Sequence, residues 1–393
     1  MSLMLVAFLE EKPFIRPFLI CLSVIGLYKN NFSMNELQNA FALLDHDSRQ
    51  QIFNTLRARE NESLKPDEYR EKVRWPIVRS MVDAVGTHQV PLENGLVLEV
   101  STGSRIEKAF LLSRQNEPDH AWEPQTTRLI LEIAERDALI GGAFFGDHVA
   151  PLALQMKKSN PQGKILAFEP FSKTYEDLIR NLESNGLSNV EPKCQGLWSE
   201  SGIKLKVGLK AGESALASAM VEDMSESTEV ETAAVDDFID THDLGLIVID
   251  LEGSEEECLK GASQTLHLPP GKAPHLIFEV HREYFDWSQG LENTTILKLV
   301  LDAGYDAYAI RDIHDNFSMK SRAIELIPIK SVYLEGPPHG FNLLATKDKN
   351  LPTRLGVQLI EGVSPKYIPG RDPQLFAPLD GLGLGEVKEN SPS

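Results

Sequence analysis

The sequence predicts an α/β fold, a doubly wound and mostly parallel sheet preceded by a mainly helical N-terminal extension. Three observations predict it. From Ala138 onward, short apolar runs such as "ALIGGAF", "KILAFEP", "LGLIVIDLEG" and "PHLIFEVH" alternate with amphipathic segments. The runs are apolar throughout, not at every second residue, which is the pattern of strands covered on both faces. The residues able to do chemistry lie at the carboxyl ends of those runs, where open α/β sheets bind ligands.

Residues 1–33 are set apart as an apolar extension. Its uninterrupted apolar run, Pro17 to Tyr28, is too short to span a bilayer. No small-residue cleavage site follows it, and Glu10 and Glu11 spoil a basic leader. A buried helix, or an extension upstream of a start at Met34, is the expected reading. Residues 34–121 form a helical accessory region with one strand, "GLVLEVST". The main domain is expected over 122–350. "HAWEPQTTRLILEIAERD" reads as a loop entering a helix, and "ALIGGAF" as the first strand, with "HVAPLALQMKKSN" as its helix. "KILAFEP" is the second strand, and "KTYEDLIRNLESNG" a helix closed by Gly186. "VEPKCQGLW" reads as the third strand. An acidic connection rich in alanine and serine leads to the fourth, "LGLIVIDLEG", and its helix "SEEECLKGASQTL". "PHLIFEVH", the helix "NTTILKLVLDAGY", and two late strands, "DAYAIRD" and "FNLLATK", complete the pattern. Residues 351–393, rich in Pro and Gly, read as a tail.

Composition narrows the function. With 58 acidic against 39 basic residues, the formal charge is −19. Such an excess repels a phosphate backbone, so nucleic acid is not expected as a partner, and a cationic ligand is tolerated. No membrane partner is expected either. Cys21, Cys194 and Cys258 stand far apart with no metal-ligand or redox spacing, which fits a reducing cytoplasm.

Gly142 and Gly146 bracket the turn after the first strand. Lacking Cβ, they let backbone approach a ligand closely, and the turn feeds a helix N-terminus that favours a carboxylate. Glu169 ends the second strand, 27 residues after Gly142, where doubly wound folds place an acid that accepts ribose hydroxyls. Gln195, just after the third strand, is placed for an adenine edge. No P-loop and no second phosphate motif occur, so a ligand with ribose and adenine but few phosphates fits, and S-adenosylmethionine is the candidate. Asp250 and Glu252, two residues apart, share a side if the fourth strand persists that far. Paired carboxylates at a strand mouth need a cation, a proton or donors. They suit the cofactor's ammonium or sulfonium, a substrate hydroxyl, or a divalent metal. Glu279 and His281 repeat the spacing on the fifth strand. His281 is a candidate general base because its pKa falls near working pH. His148 and His314 carry weaker signals, since such residues are often simply solvated.

These residues resemble the FkbM-type methyltransferases. "LIGGAFFGD" stands where that family has its glycine motif, and "AFEPFSKTYEDLIRNLESNGLSNV" resembles its Glu-Pro strand and helix. "VDDFIDTHDLGLIVIDLEGSEEECLKGASQTL" and "PHLIFEVH" resemble its later blocks. The resemblance runs from Trp122 to Lys347, about 60% of the chain. It implies a class I, Rossmann-like methyltransferase sheet, S-adenosylmethionine as cofactor, and methylation of a hydroxyl on a sugar or secondary metabolite. It implies that Gly142, Ala143 and Gly146 approach the methionine part, that Glu169 holds the ribose, and that Asp250 and Glu252 line the reacting centre. The family's usual acid before the glycines falls on Ile140, and its usual asparagine on Phe144. Asp147, one residue after the turn, is the expected replacement for the acid. The base is His281 or one of Asp250 and Glu252. A metal held by Asp250, Glu252 and His281 ranks below a metal-free site. A non-catalytic module that binds the cofactor or a nucleoside is the alternative from another class.

Overall fold

The computed structural model describes residues 39 and 41–367, except 85–86, 102, 105, 108–109, 111–121, 211–216, 219–223, 282–283, 315–318, 320–321 and 334–339. The expectations for residues 1–33 and for 368–393 lie outside the described residues. Among the described residues no helix is long and apolar enough to cross a membrane.

The accessory region builds a helical layer. Helix α1, His46–Asn61, starts at Asp45, whose side chain accepts from Ser48 N. Helix α2 follows at Trp75–Asp83. Glu60, fully buried, ties α1 to the helical turn Arg70–Arg74 that leads into α2 through ion pairs to Arg70 and Arg74, each 2.5 Å long. Removing one partner of such a pair leaves a buried charge uncompensated, so the pair fixes how the helices dock. The predicted strand is the second arm of a hairpin, β1 (His88–Pro91) against β2 (Val97–Val100).

Then come α3 (Pro124–Ile133), β3 (Asp137–Gly141), α4 (Val149–Ser159), β4 (Ile165–Phe168), α5 (Ser172–Ser184) and β5 (Val190–Lys193). Helix α5 stops where Gly186 takes φ +61°, with Leu187 N bonded back to Leu182 O. The third predicted strand divides at Cys194 and Gln195 into β5 and β6 (Gly196–Leu197). The connection that follows is structured. Strands β7 (Lys204–Lys210), β8 (Ala217–Ser218) and β9 (Met224–Ala233) join β6 in a small second sheet. The alternation in "KLKVGLK" and "STEVETA" was the available signal for it.

Strands β10 (Leu244–Ile249) and β11 (His275–Val280) are separated by α6 (Glu255–Lys260). Helix α7 (Thr295–Asp302) and strands β12 (Asp306–Ile310), β13 (Glu325–Pro328), β14 (Phe341–Thr346) and β15 (Gln358–Leu359) finish the sheet. Strand β15 pairs with β13, and Tyr367 N donates to Asp312 O, so residues 358–367 belong to the fold and the tail boundary at 351 is too early.

The main sheet has the order β15-β13-β12-β14-β11-β10-β3-β4-β5. Strands β5, β4, β3, β10 and β11 run parallel, and β14 is antiparallel to both β11 and β12. The order reverses between β3 and β10, because β3 is followed in sequence by β4 on its other side. A crevice opens at such a reversal.

Alternation along the strands fills two cores. Ala138, Ile140, Ile165, Ala167, Leu246 and Val248 face one side, packed with α3, α4, α5 and the N-terminal layer. Leu139, Leu166, Phe168, Ile247 and Ile249 face the other, with α6 and α7. Burying each large side chain contributes about 1.5–3 kcal/mol. The accessory layer therefore shares a core with the sheet.

Candidate active site

The crevice at the reversal is lined by residues from five separate stretches of chain, one of them Ile106 of the accessory region. Trp122 and Glu123 come from the entry to α3, and Gly142, Phe144, Asp147 and His148 from the turn after β3. Glu169 lies at the end of β4, and Asp250 and Glu252 at the end of β10.

The turn after β3 is closed by its own backbone. Gly142 N and Ala143 N both donate to Phe168 O, at 3.0 and 2.9 Å. Gly142 has φ +78°, and a Cβ there would lie 1.9 Å from Asp250 O. Only glycine fits. A Cβ on Gly146, at φ +97°, would lie 3.0 Å from Leu178 Cδ1, and Gly146 is not among the described residues lining the crevice. Ala143, also expected at the ligand, is buried and is not among the described residues lining the cleft.

Glu169 is buried and clasps this turn. One carboxylate oxygen accepts from Phe144 N at 2.9 Å, and the other from Phe171 N at 3.0 Å and Thr174 Oγ1 at 2.7 Å. Burial pushes its carboxyl up, and those three donors pull against the shift. The clasp holds Phe144 at φ +47°, a left-handed conformation that asparagine tolerates and phenylalanine resists. Asn181 of α5 adds a tie, donating to Phe145 O at 2.9 Å.

The turn after β10 is built differently. The strand ends at Ile249, and Glu252 has φ +50°, so the expected two-residue alternation of Asp250 and Glu252 stops before it applies. Both carboxylates reach the crevice nonetheless. The clasp here is Glu255, which accepts from Leu251 N at 2.8 Å and Gly253 N at 3.0 Å. Asp250 is held well above the usual carboxylate range by burial and by the negative charges of Glu123, Glu255 and Asp147. Glu279, at the end of β11, is raised in the same way by burial and by Asp250, Glu252 and Glu255. The carboxylate oxygens of Asp250, Glu255 and Glu279 lie within 4.8 Å of one another. Among the described residues this is the grouping with metal-ligand geometry; Asp250, Glu252 and His281 do not form one. Glu255 already spends its oxygens on the loop backbone.

His281 shares a side with Glu279, as the spacing predicted: a Cβ on Gly340 would lie 1.7 Å from Glu279 Oε1 and 2.9 Å from His281 Cδ2. Its ring packs 5.2 Å from that of Tyr284. It is not among the described residues lining the crevice, and neither is the half-buried Gln195.

Sequence reasoning passed over the α3 side of the crevice. Glu123, buried and at φ +53°, accepts from His314 Nε2 at 2.8 Å and from Asn342 Nδ2 at 2.8 Å. Trp122 stacks on His314, with centroids 5.2 Å apart. His148 lies 3.8 Å from Glu123, and its Nδ1 is 3.2 Å from Thr127 Oγ1. The N-terminus of α3 is capped across the fold by Asp312, which accepts from Gln125 N and Thr126 N. Burial and the nearby Glu123 push the Asp312 carboxyl up to about 7. Only the dipeptide Trp-Glu before Pro124 was visible as a helix entry. The three non-glycine residues with positive φ among the described residues, Glu123, Phe144 and Glu252, all line this one crevice. Conformations of that kind cost about 1–3 kcal/mol each and gather at functional sites.

The parallel sheet reversing at β3, with β14 antiparallel beside β11, is the class I methyltransferase arrangement that the resemblance implied. Residues 141–307, from the end of β3 to the start of β12, match the family model described as the methyltransferase FkbM domain. Over that stretch the chain is similar to the FkbM methyltransferase domain. That supports S-adenosylmethionine as the cofactor and methyl transfer as the reaction. No curated protein matches the sequence. Solved structures similar to the chain include a precorrin-6y C5,15-methyltransferase from Geobacter metallireducens, at 14% identity, 57% of this chain, 89% of that chain and TM-score 0.31. A Pyrococcus abyssi tRNA (uracil-54, C5)-methyltransferase in complex with S-adenosyl-L-homocysteine matches at 12% identity, 66% of this chain, 44% of that chain and TM-score 0.33. A putative O-methyltransferase from Klebsiella pneumoniae matches at 12% identity, 56% of this chain, 78% of that chain and TM-score 0.30.

The crevice suits the cofactor. The matched stretch offers a glycine turn that admits close backbone approach, an acid at the end of β4, and carboxylates able to face a cation. Ile140 offers nothing: it is buried in the core.

Proposed function

We propose that this protein methylates a hydroxyl group of a small metabolite, a sugar or a secondary metabolite, using S-adenosylmethionine. One observation carries the reading: the glycine turn, Glu169 and the Asp250–Glu252 turn, far apart in sequence, line one crevice at the sheet's reversal point.

S-adenosylmethionine supplies an electrophilic methyl group on sulfur. The chain's own residues do the rest. Glu169 orients the ribose, exchanging part of its clasp on Phe144 and Thr174 for ribose hydroxyls. The backbone of Gly142 forms the floor. Displacement at carbon needs nucleophile, methyl and sulfur nearly in line, so positioning supplies much of the rate. Asp250 receives the hydroxyl proton. It opens into the crevice, and burial among other carboxylates raises its affinity for a proton. This ranks Asp250 above His281, which is not among the described residues lining the crevice.

The test is a titration of purified protein with S-adenosylmethionine, followed by an assay for S-adenosylhomocysteine release over a panel of hydroxylated metabolites. Binding with release on a hydroxylated compound supports the reading. Binding with no release on any compound favours a non-catalytic cofactor-binding module. No binding at all defeats both.

A further inference from the structure

Glu279 stands at the crevice end of β11 and has no part in the mechanism above. The register that pairs Ile249 with Phe278 brings Asp250 and Glu279 side by side, one residue further along β10 and β11. Their carboxylate oxygens lie within 4.8 Å, a gap that a hydrogen bond or one bridging water closes. Neither carboxylate has a donor among the described residues. The charged groups facing Glu279 are Asp250, Glu252, Glu255 and Glu123, all of them acids. Glu255 is spent on Leu251 N and Gly253 N. Asn342, opposite Glu279 on β14, turns its amide to Glu123. On its own strand, His281 meets the same point beside Gly340. Gly340 makes room for the pair, since a Cβ there would lie 1.7 Å from Glu279 Oε1.

We propose that Glu279 is a positioning residue for methyl transfer, holding a proton that it presents to the Asp250 carboxylate. This rests on the reading of Asp250 as the base. Two carboxylates this close and without donors do not both ionise, so the pair keeps one proton. The proton belongs on Glu279, because Asp250 lines the crevice and Glu279 is not among the described residues lining it. Charge settles on the group that water or a ligand can reach. Burial and neighbouring carboxylates raise both carboxyls, the direction that a shared proton requires. The proton on Glu279 gives Asp250 the donor that the fold otherwise withholds. It thereby fixes which Asp250 oxygen stays free for the acceptor hydroxyl. In the transfer the hydroxyl proton passes to Asp250, and Glu279 keeps its own.

Two variants separate this role from a structural one. Glu279→Gln keeps the shape and a permanent donor, and Glu279→Met keeps the shape alone. Wild type should give a bell-shaped kcat profile, falling on the alkaline side as Glu279 loses its proton. Glu279→Met should lower kcat about a hundredfold, with S-adenosylmethionine affinity within about threefold. Glu279→Gln should recover kcat to within about tenfold of wild type and lose the alkaline fall. Equal kcat in the two variants overturns the inference, whether both are active, as for a space-filling role, or both inactive, as for a metal ligand. So does an alkaline fall that persists in Glu279→Gln. Infrared spectra of the empty protein read the proton without substrate. The carbonyl band of protonated carboxyls should be weaker in Glu279→Gln than in wild type, and an unchanged band overturns the inference. Unchanged turnover in Asp250→Asn, with the band weaker in Glu279→Gln, overturns the base reading and leaves the shared proton standing.

Discussion

The turns after β3 and β10 leave neighbouring strands at the same level, yet they are finished in opposite ways. Each has a non-glycine residue with positive φ, Phe144 and Glu252, and each is clasped by a buried glutamate, Glu169 and Glu255. In the first turn the clasp holds the backbone of Phe144, and at Gly142 the backbone itself is the surface offered to a ligand. In the second, the clasp consumes Glu255 and leaves Asp250 facing other carboxylates. One turn is a cradle and the other is a charge waiting for a partner. Buried charge of that kind is destabilising in the empty protein and useful only when a cation or a transferable proton arrives.

The sharpest way to break this contrast is Asp250→Asn. Turnover should fall roughly 10²–10⁴-fold, as for loss of a general base, with S-adenosylmethionine affinity changed far less. The same variant should raise the melting temperature of the empty protein, because a buried like-charge repulsion is gone. Unchanged turnover in the folded variant would remove Asp250 as the base and return His281 to first place.

Gly142→Ala attacks the cradle. The added methyl meets Asp250 O and the residue is forced to keep φ +78°, so a loss of about 3 kcal/mol or more is expected by thermal or urea unfolding. Gly202→Ala is the control: it also has positive φ, but its Cβ would meet nothing within 4 Å, so only the strain of about 1 kcal/mol should appear. Equal losses would show that the close approach of the two turns does not matter.

Glu169→Gln tests the clasp and the ribose contact together. S-adenosylmethionine binding should weaken by about 1.5–3 kcal/mol, the cost of charged hydrogen bonds. Stability should fall less, because the amide oxygen still accepts one set of donors. Unchanged affinity in calorimetry would take Glu169 out of the site and leave it as a clasp alone.

The smallest effect is the pH dependence of stability. Asp250, Glu279, Glu169 and Glu255 all have carboxyls raised by burial, and Asp312 is raised to about 7. A carboxyl whose folded pKa exceeds its unfolded value of about 4 binds its proton more tightly in the native state. Its contribution is therefore complete below about pH 4 and is lost as pH rises through the folded value. The empty protein should lose melting temperature between about pH 5 and 8, and Asp250→Asn should flatten that slope. A melting temperature that climbs over this range would show that these groups are ionised without strain.

Much of the fold was legible in the chain because strand burial is a local pattern. "ALIGG", "ILAF", "LGLIVI" and "HLIFEV" are apolar at every position, and such runs have few alternatives to a doubly covered sheet. Glycines at positive φ were readable for the same reason: Gly142, Gly146 and Gly186 sit where a run of one period ends. The hairpin of β7 and β9 was legible in principle from its alternation, but its composition of Lys, Ser, Thr and Glu reads as a connection. Strand β13 and the edge strand β15 were missed because runs of four and two residues are too short to show a period.

Sequence by itself determined which residues stand at the ends of the parallel strands, and so named Gly142, Glu169, Asp250 and Glu252 as neighbours of one crevice. Only the tertiary structure decided their states. Whether Glu169 is free or clasped depends on Phe144 N and Thr174, and whether Asp250 is strained depends on Glu255 of its own turn and on Glu123 and Asp147 from two other stretches of chain. Glu123 and His148 lie 25 residues apart, and Glu123 reaches His314 and Asn342 across 191 and 219. Neither residue belongs to a periodic run or a spaced motif. Electrostatic energy falls with distance in space, not along the chain, so a charge pair assembled from separate elements leaves no trace in the order of residues.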